Sequence, residues 1–204
     1  MSRRPARTPR EALLLGVDPR AAEALRRGEH HDPHALLGAH PARIGGRESR
    51  AVRAFHPDAV AAELLPEGGA PRPMVELGGG LFGAFLEEAV APLRYRLRFR
   101  FADGNAWERG DPYRFLPTLG ELNLHLIGEG THRRLWQALG AHPRHLDGEE
   151  GTAFAVWAPS AVRVSLLGDF CGWDGRLLPM RCLGRSGVFE LFVPGVGPGA
   201  LYKY

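Results

Sequence analysis

At 204 residues the chain is long enough for one or two domains, and its 44% hydrophobic content supplies apolar material for two cores. No apolar run approaches the ~18 residues of a membrane span, and two cysteines, Cys171 and Cys182, make neither a disulfide framework nor a metal set. The net charge of +3 is small, and the basic residues, all arginine except Lys203, are spread along the chain, which excludes a nucleic-acid patch.

The start carries Arg3, Arg4, Arg7 and Arg10, but Leu13-Leu14-Leu15 is too short for a secretory signal, so a cytoplasmic protein is expected. Residues 1–7 read as a basic, disordered tail. Thr8-Pro9-Arg10-Glu11 fits a capping box with proline at the first helical position, and Asp18-Pro19 opens a second short helix that Gly28 can close. His30-His31-Asp32-Pro33-His34 invites a metal reading, but Pro33 breaks the helical spacing that would align His30 with His34. A turn that caps and packs is expected instead, and no cofactor or metal.

From about residue 42 the period changes to two. Tyr95, Leu97, Phe99 and Phe101 alternate with Arg94, Arg96, Arg98 and Arg100, the strongest strand signal in the chain. Further strands are expected over 49–55, 59–65, 74–77 and 81–85, with a hairpin turn at Asp103-Gly104 before Trp107. Residues 131–139 read as one helix capped by Thr131 and stopped by Gly140. Strands then follow over 152–157, 162–167, 188–193 and 200–204.

The chain also repeats itself. Leu37-Gly38-Ala39-His40-Pro41 returns as Leu139-Gly140-Ala141-His142-Pro143, and 15 of the 38 positions from 28 to 65 recur 102 residues later. Past a five-residue adjustment, Tyr95-Arg96-Leu97 meets Tyr202-Lys203-Tyr204. A unit of that length is domain-sized. The expectation is all-β: two tandem immunoglobulin-like antiparallel sandwiches, with short helices at the start and in the linker. Its parts are a tail with short helices (1–28), a first sandwich (29–115), a helical linker (116–143) and a second sandwich (144–204). The first copy runs on through a hairpin after its Tyr95 strand, so the second is expected to be truncated at its C-terminal end.

The loop Gly168-Asp169-Phe170-Cys171-Gly172-Trp173-Asp174 carries the functional signal. A loop tryptophan framed by glycine and aspartate is exposed, and a flat indole covers the C–H face of a pyranose while polar neighbours take its hydroxyls.

These residues, together with Trp157-Ala158-Pro159, Val162-Arg163-Val164 and Tyr202-Lys203-Tyr204, resemble the glycan-binding module of the family-48 type. Such modules accompany enzymes acting on α-1,4-glucans and also occur in the β subunits of the AMP-activated protein kinase. The tandem arrangement, entered through His30-His31-Asp32-Pro33 and joined by Leu124-His125-Leu126-Ile127-Gly128-Glu129-Gly130, resembles the amino-terminal portion of the bacterial 1,4-alpha-glucan branching enzymes. By that resemblance, Trp173 stacks on glucose, Lys203 contacts glycan hydroxyls, and Trp107 matches a second glycan-contacting tryptophan. The implied partners are α-1,4-glucan, glycogen and maltooligosaccharides. Cys171 departs from the pattern, which has asparagine there, and that puts loop geometry and affinity in question. In the first copy, Leu65-Pro66-Glu67-Gly68-Gly69 has no aromatic and Arg96 replaces Lys203, which implies a mainly structural module.

The same resemblance places the chemistry in a retaining (β/α)8 barrel, on which this region packs. That barrel's pattern is absent from these 204 residues, so they contain no catalytic residue and are expected to be inactive alone. Two other readings stay open: a non-catalytic glycan-targeting protein like the kinase subunits, and an immunoglobulin-like module that binds protein.

Overall fold

A computed structural model describes residues 8–14, 16–44, 47–87 and 93–204. The tail expected over 1–7 lies outside the described residues. Two short helices come first, α1 (Pro9–Leu13) and α2 (Pro19–Arg26). In α1 the Thr8 side chain accepts from the Glu11 N–H and Glu11 from the Thr8 N–H, satisfying donors that a helix start leaves open. Asp18 does the same for α2 through the Arg20 N–H at 2.9 Å.

The first sandwich is built from β1 (Gly38–Ile44), β2 (Arg47–Phe55), β3 (Ala61–Pro66), β4 (Arg72–Pro73), β5 (Val75–Gly78), β6 (Leu81–Glu87), β7 (Tyr95–Arg100) and β8 (Ala106–Gly110). One sheet runs β1-β2-β6-β5 and the other β4-β3-β7-β8. Between them lie Val52, Ala54, Leu64, Phe82, Leu97 and Phe99. The outer face of β7 is polar: Arg96, Arg98 and Arg100 share Glu108 and Glu63 in a ladder of ion pairs.

After α3 (Glu121–Gly128) the second sandwich follows, with β9 (Gly140–Leu146), β10 (Glu149–Trp157), β11 (Leu167–Gly168), β12 (Arg181–Cys182), β13 (Val188–Pro194) and β14 (Tyr202–Lys203). Its sheets run β12-β13-β10-β9 and β11-β14. The repeat in sequence is a repeat in structure. β1 pairs with β2 from Gly38↔Arg53 to Ile44↔Arg47, and β9 pairs with β10 from Gly140↔Ala155 to Leu146↔Glu149, the same register 102 positions on. The His40 ring meets the Leu37 carbonyl at 3.0 Å, and His142 meets Leu139 at the same distance.

Two elements differ from expectation. The helix expected over 131–139 is a single 3-10 turn at Leu135–Gln137, and the linker's helix is α3. Leu135 and Trp136 are exposed, so the apolar residues of this stretch form no buried stripe to hold a longer helix. The segment instead reproduces the 3-10 turn at Pro33–Ala35, and the approach to each turn is braced alike, His30 and His132 each accepting at Nδ1 from the backbone N–H two residues on. The strand expected over 162–167 is irregular: Val162 is exposed, and Val164 and Leu166 bond to Met180 and Leu178 across an isolated bridge.

The two sandwiches do not behave as beads on a string. β2 is buried on both faces: Val52 and Ala54 point into the first sandwich, while Ala51 and Phe55 belong to a second core with Leu13 of α1 and Leu25 of α2. That core continues into the second module through Phe154, Leu166, Leu178, Met180 and Phe189. The linker is tied down as well. Buried Glu190 accepts from the Thr118 N–H at 2.9 Å, the Thr118 hydroxyl at 2.6 Å and the Arg181 guanidinium, whose other arm reaches the Phe115 carbonyl at 3.1 Å.

Candidate functional site

The Trp173 loop leaves β11 at Gly168, where a Cβ would collide with the Phe170 ring and the Leu201 carbonyl. One 3-10 turn over Asp169–Cys171 follows, and then Gly172 and Trp173 both take left-handed backbone, at φ 59° and 61°. A tryptophan there is sterically unfavourable and is retained only where the surroundings determine it. Here the Trp173 N–H donates to the Gly168 carbonyl at 3.0 Å, and its indole Nε1–H donates to Asp169 Oδ1 at 2.9 Å. Trp173 remains 41% exposed.

β14 brings Lys203 to this ring. Leu167 pairs with Lys203 and Gly168 with Tyr202, which sets the lysine beside the loop; its Nζ lies 5.4 Å from the Trp173 ring centroid. The expected pair thus meets in space although 30 residues separate it in sequence. Beneath the strand, Tyr202 packs edge-on against Phe154, and the Tyr204 hydroxyl reaches the Gly140 and Ala155 carbonyls. Burial pushes the Tyr204 phenol above its ordinary range.

Cys171 points inward, buried under the loop, and its thiol faces the Gly168 carbonyl at 3.4 Å. It supplies a weak turn hydrogen bond. Burial raises its pKa, so the thiol stays protonated and inert. Arg176 clamps the loop's far end, holding Asp174 and reaching Asp58 of the first module at 2.9 Å. The Arg176 hydrogen bonds hold the Asp174 carboxyl below its usual range.

Trp107 is placed differently. It sits opposite Phe99 on β7, so its side chain leaves the sheet on the inner face, away from Arg96. Half-buried, it takes the Arg109 guanidinium at 4.9 Å and the edge of His56 at 5.8 Å. Arg96, the counterpart of Lys203, is engaged with Glu108. The first module therefore has no tryptophan–lysine pair of its own. Trp107 instead faces the second module, lining a cleft with Asp169, Phe170 and Gly172. Sequence reasoning missed Asp169 and His56. The carboxylate four residues before Trp173 was a signal for the first, and nothing local marked the second.

His34, expected in a packing turn, is half-buried and edge-on to Tyr113, and His30 stacks on His31. Burial takes His34 down to about 3 and His56 to about 4, so both rings are neutral at neutral pH. Among the described residues no group of three or more His, Cys, Asp or Glu is placed to hold a metal ion. No helix among them is long and apolar enough to cross a membrane.

The fold is a pair of tandem antiparallel β-sandwiches, and the second sets a loop tryptophan beside a strand lysine. Residues 18–113 match the alpha-1,4-glucan branching enzyme GlgB, N-terminal domain, and residues 138–204 match carbohydrate-binding module 48, the isoamylase N-terminal domain. The chain belongs to the N-terminal region of the 1,4-alpha-glucan branching enzyme GlgB family. It is 48% identical over 197 residues to the 1,4-alpha-glucan branching enzyme GlgB of Leifsonia xyli subsp. xyli, covering 96% of this chain and 27% of that one. It is 53% identical over 188 residues to the enzyme of that name from Frankia casuarinae, covering 89% and 22%, and 49% identical over 175 residues to that of Myxococcus xanthus, covering 86% and 23%. The chain thus spans about a quarter of the length of these relatives.

Proposed function

We propose that this chain is the glucan-docking region of a branching enzyme, and that Trp173 and Lys203 form its sugar platform. A partly exposed tryptophan whose indole N–H is fixed by Asp169 and whose ring is flanked by an ammonium is the observation that carries the reading. The ring covers the apolar face of a glucosyl unit, Lys203 donates to its hydroxyls, and neither requires charge on the ligand. The ligands are α-1,4-glucans: glycogen, amylose and maltooligosaccharides. The whole protein then joins an α-1,4-linked segment to a C6 hydroxyl in a catalytic barrel against which this region packs, in the cytoplasm. Docking holds the polymer near that chemistry and raises its local concentration. Native electrophoresis through gels with and without glycogen tests the reading: the purified chain is expected to be retarded in proportion to glycogen content. Equal mobility in both gels overturns it in favour of a protein-binding module.

A further inference from the structure

Past its root at Gly168, the loop that carries Trp173 is only weakly closed by its own sandwich. The first copy closes the matching turn with a two-pair ladder, Glu63↔Pro73 and Leu64↔Arg72, whereas the second has one isolated bridge, Ser165↔Pro179. Within the loop Trp173 stands at φ 61°, a backbone that a tryptophan keeps only where surrounding contacts impose it. Much of that bracing comes from the first module. Arg176 grips Asp174, the residue after Trp173, through Nε at 3.0 Å to both carboxylate oxygens and through Nη2 at 2.6 Å. The same Nη2 donates to Asp58 Oδ2 of the first module at 2.9 Å. The Tyr113 hydroxyl meets the Leu177 and Pro179 carbonyls at 3.4 and 3.3 Å, and Tyr113 shares a buried core with Cys171, Leu177 and Leu178. Beyond the loop, the Cys182 N–H donates to the His31 carbonyl at 3.0 Å.

We infer that the first module, which has no tryptophan–lysine pair, is the positioning element of the second module's platform: Asp58, acting through Arg176 and Asp174, and Tyr113, acting through the Leu177 and Pro179 carbonyls, hold the Trp173 indole where a glucosyl ring meets it. The inference rests on Trp173 being the sugar platform, and it makes the affinity of one module depend on its neighbour. Asp58 and Tyr113 act through the loop. Their contribution is preorganisation, since a loop already held in its binding conformation loses no freedom when the sugar arrives. Asp58 and Arg176 are both exposed, so their pairing contributes on the scale of a surface ion pair.

Calorimetric titration of the full 204-residue chain with maltoheptaose, together with the indole N–H resonances of the sugar-free chain, tests the inference. The Trp173 resonance is assigned by its loss in Trp173→Ala. Asp58→Ala is expected to weaken maltoheptaose roughly two- to threefold, and Arg176→Gln, which also frees Asp174, roughly fivefold. In the double variant the loss is expected to equal that of Arg176→Gln alone, because the two residues act in series. The Trp173 indole resonance is expected to move in each variant without sugar, a change that a merely structural role, lowering the melting temperature of an intact loop, would not produce. Unchanged affinity in both folded variants, with a static Trp173 resonance, overturns the positioning role and leaves the platform standing. Additive losses in the double variant overturn the route through Arg176. If Arg176→Gln does not fold, Asp58→Ala decides alone. A wild-type chain that binds no maltoheptaose overturns the platform itself, and the resonance then decides whether the first module positions Trp173.

Discussion

Truncating Trp173 to alanine removes the platform and leaves the scaffold, so it isolates what the indole contributes to glucan binding. The ring is 41% exposed. An aromatic side chain of this size presents on the order of 250 Å², so about 100 Å² is open to a ligand. Lys203 lies over the ring, and a sugar stacking on one face covers about half of that area. At ~25 cal/mol per Å², ~50 Å² gives roughly 1.3 kcal/mol, a loss of about tenfold in Kd. The fold is expected to survive, because Trp173 belongs to none of the buried clusters and its φ of 61° is easier to relax for the smaller residue. Isothermal titration with maltoheptaose, alongside thermal melts, measures both quantities. An affinity within twofold of wild type, with an unchanged melt, would refute the reasoning and remove Trp173 from the site.

Two further outcomes concern stability. Glu190→Ala strands buried Arg181 and two Thr118 donors and is expected to cost about 3–5 kcal/mol in urea unfolding, whereas Arg181→Met with Glu190→Leu recovers most of that loss; a cost under 1 kcal/mol for Glu190→Ala contradicts the account. His34 and His56 stand at about 3 and about 4 in the fold, below the ordinary 6.5 of the unfolded chain. Above that value both states are neutral; as pH falls below it the unfolded chain takes up protons that the native state refuses. Stability is therefore expected to fall from about pH 6.5 down to about 4, by up to ~1.4 kcal/mol per pH unit for each ring. Urea midpoints at a series of pH values check this; a His34→Gln, His56→Gln chain is expected to show a shallower slope, with a remainder from His30 and His40, which burial also lowers, and an unchanged slope contradicts the account.

Much of the fold was legible because its signals are local. Alternation along 94–101 dictates a two-faced strand, and the structure places Tyr95, Leu97 and Phe99 inside with the arginines paired outside. The identity between 37–41 and 139–143 is matched by equal registers in the structure, since the same side chains impose the same pairing. The helix expected over 131–139 failed because composition was read without a buried face to receive it. The pairing of Trp173 with Lys203 came from resemblance; no spacing along the chain yields a contact between a loop and a strand 30 residues away.

By itself, then, the sequence determined the duplication, the all-β class and the loop tryptophan, all properties of short segments and their repetition. Only the tertiary structure decided that β2 is buried on both faces and that one core runs through both modules. It alone turned Trp107 toward the second module and brought Asp169 and His56 to one cleft. The physical reason is that a strand's alternation states which residues share a face but not what that face meets. The partner is chosen by burial of apolar surface among segments distant in sequence.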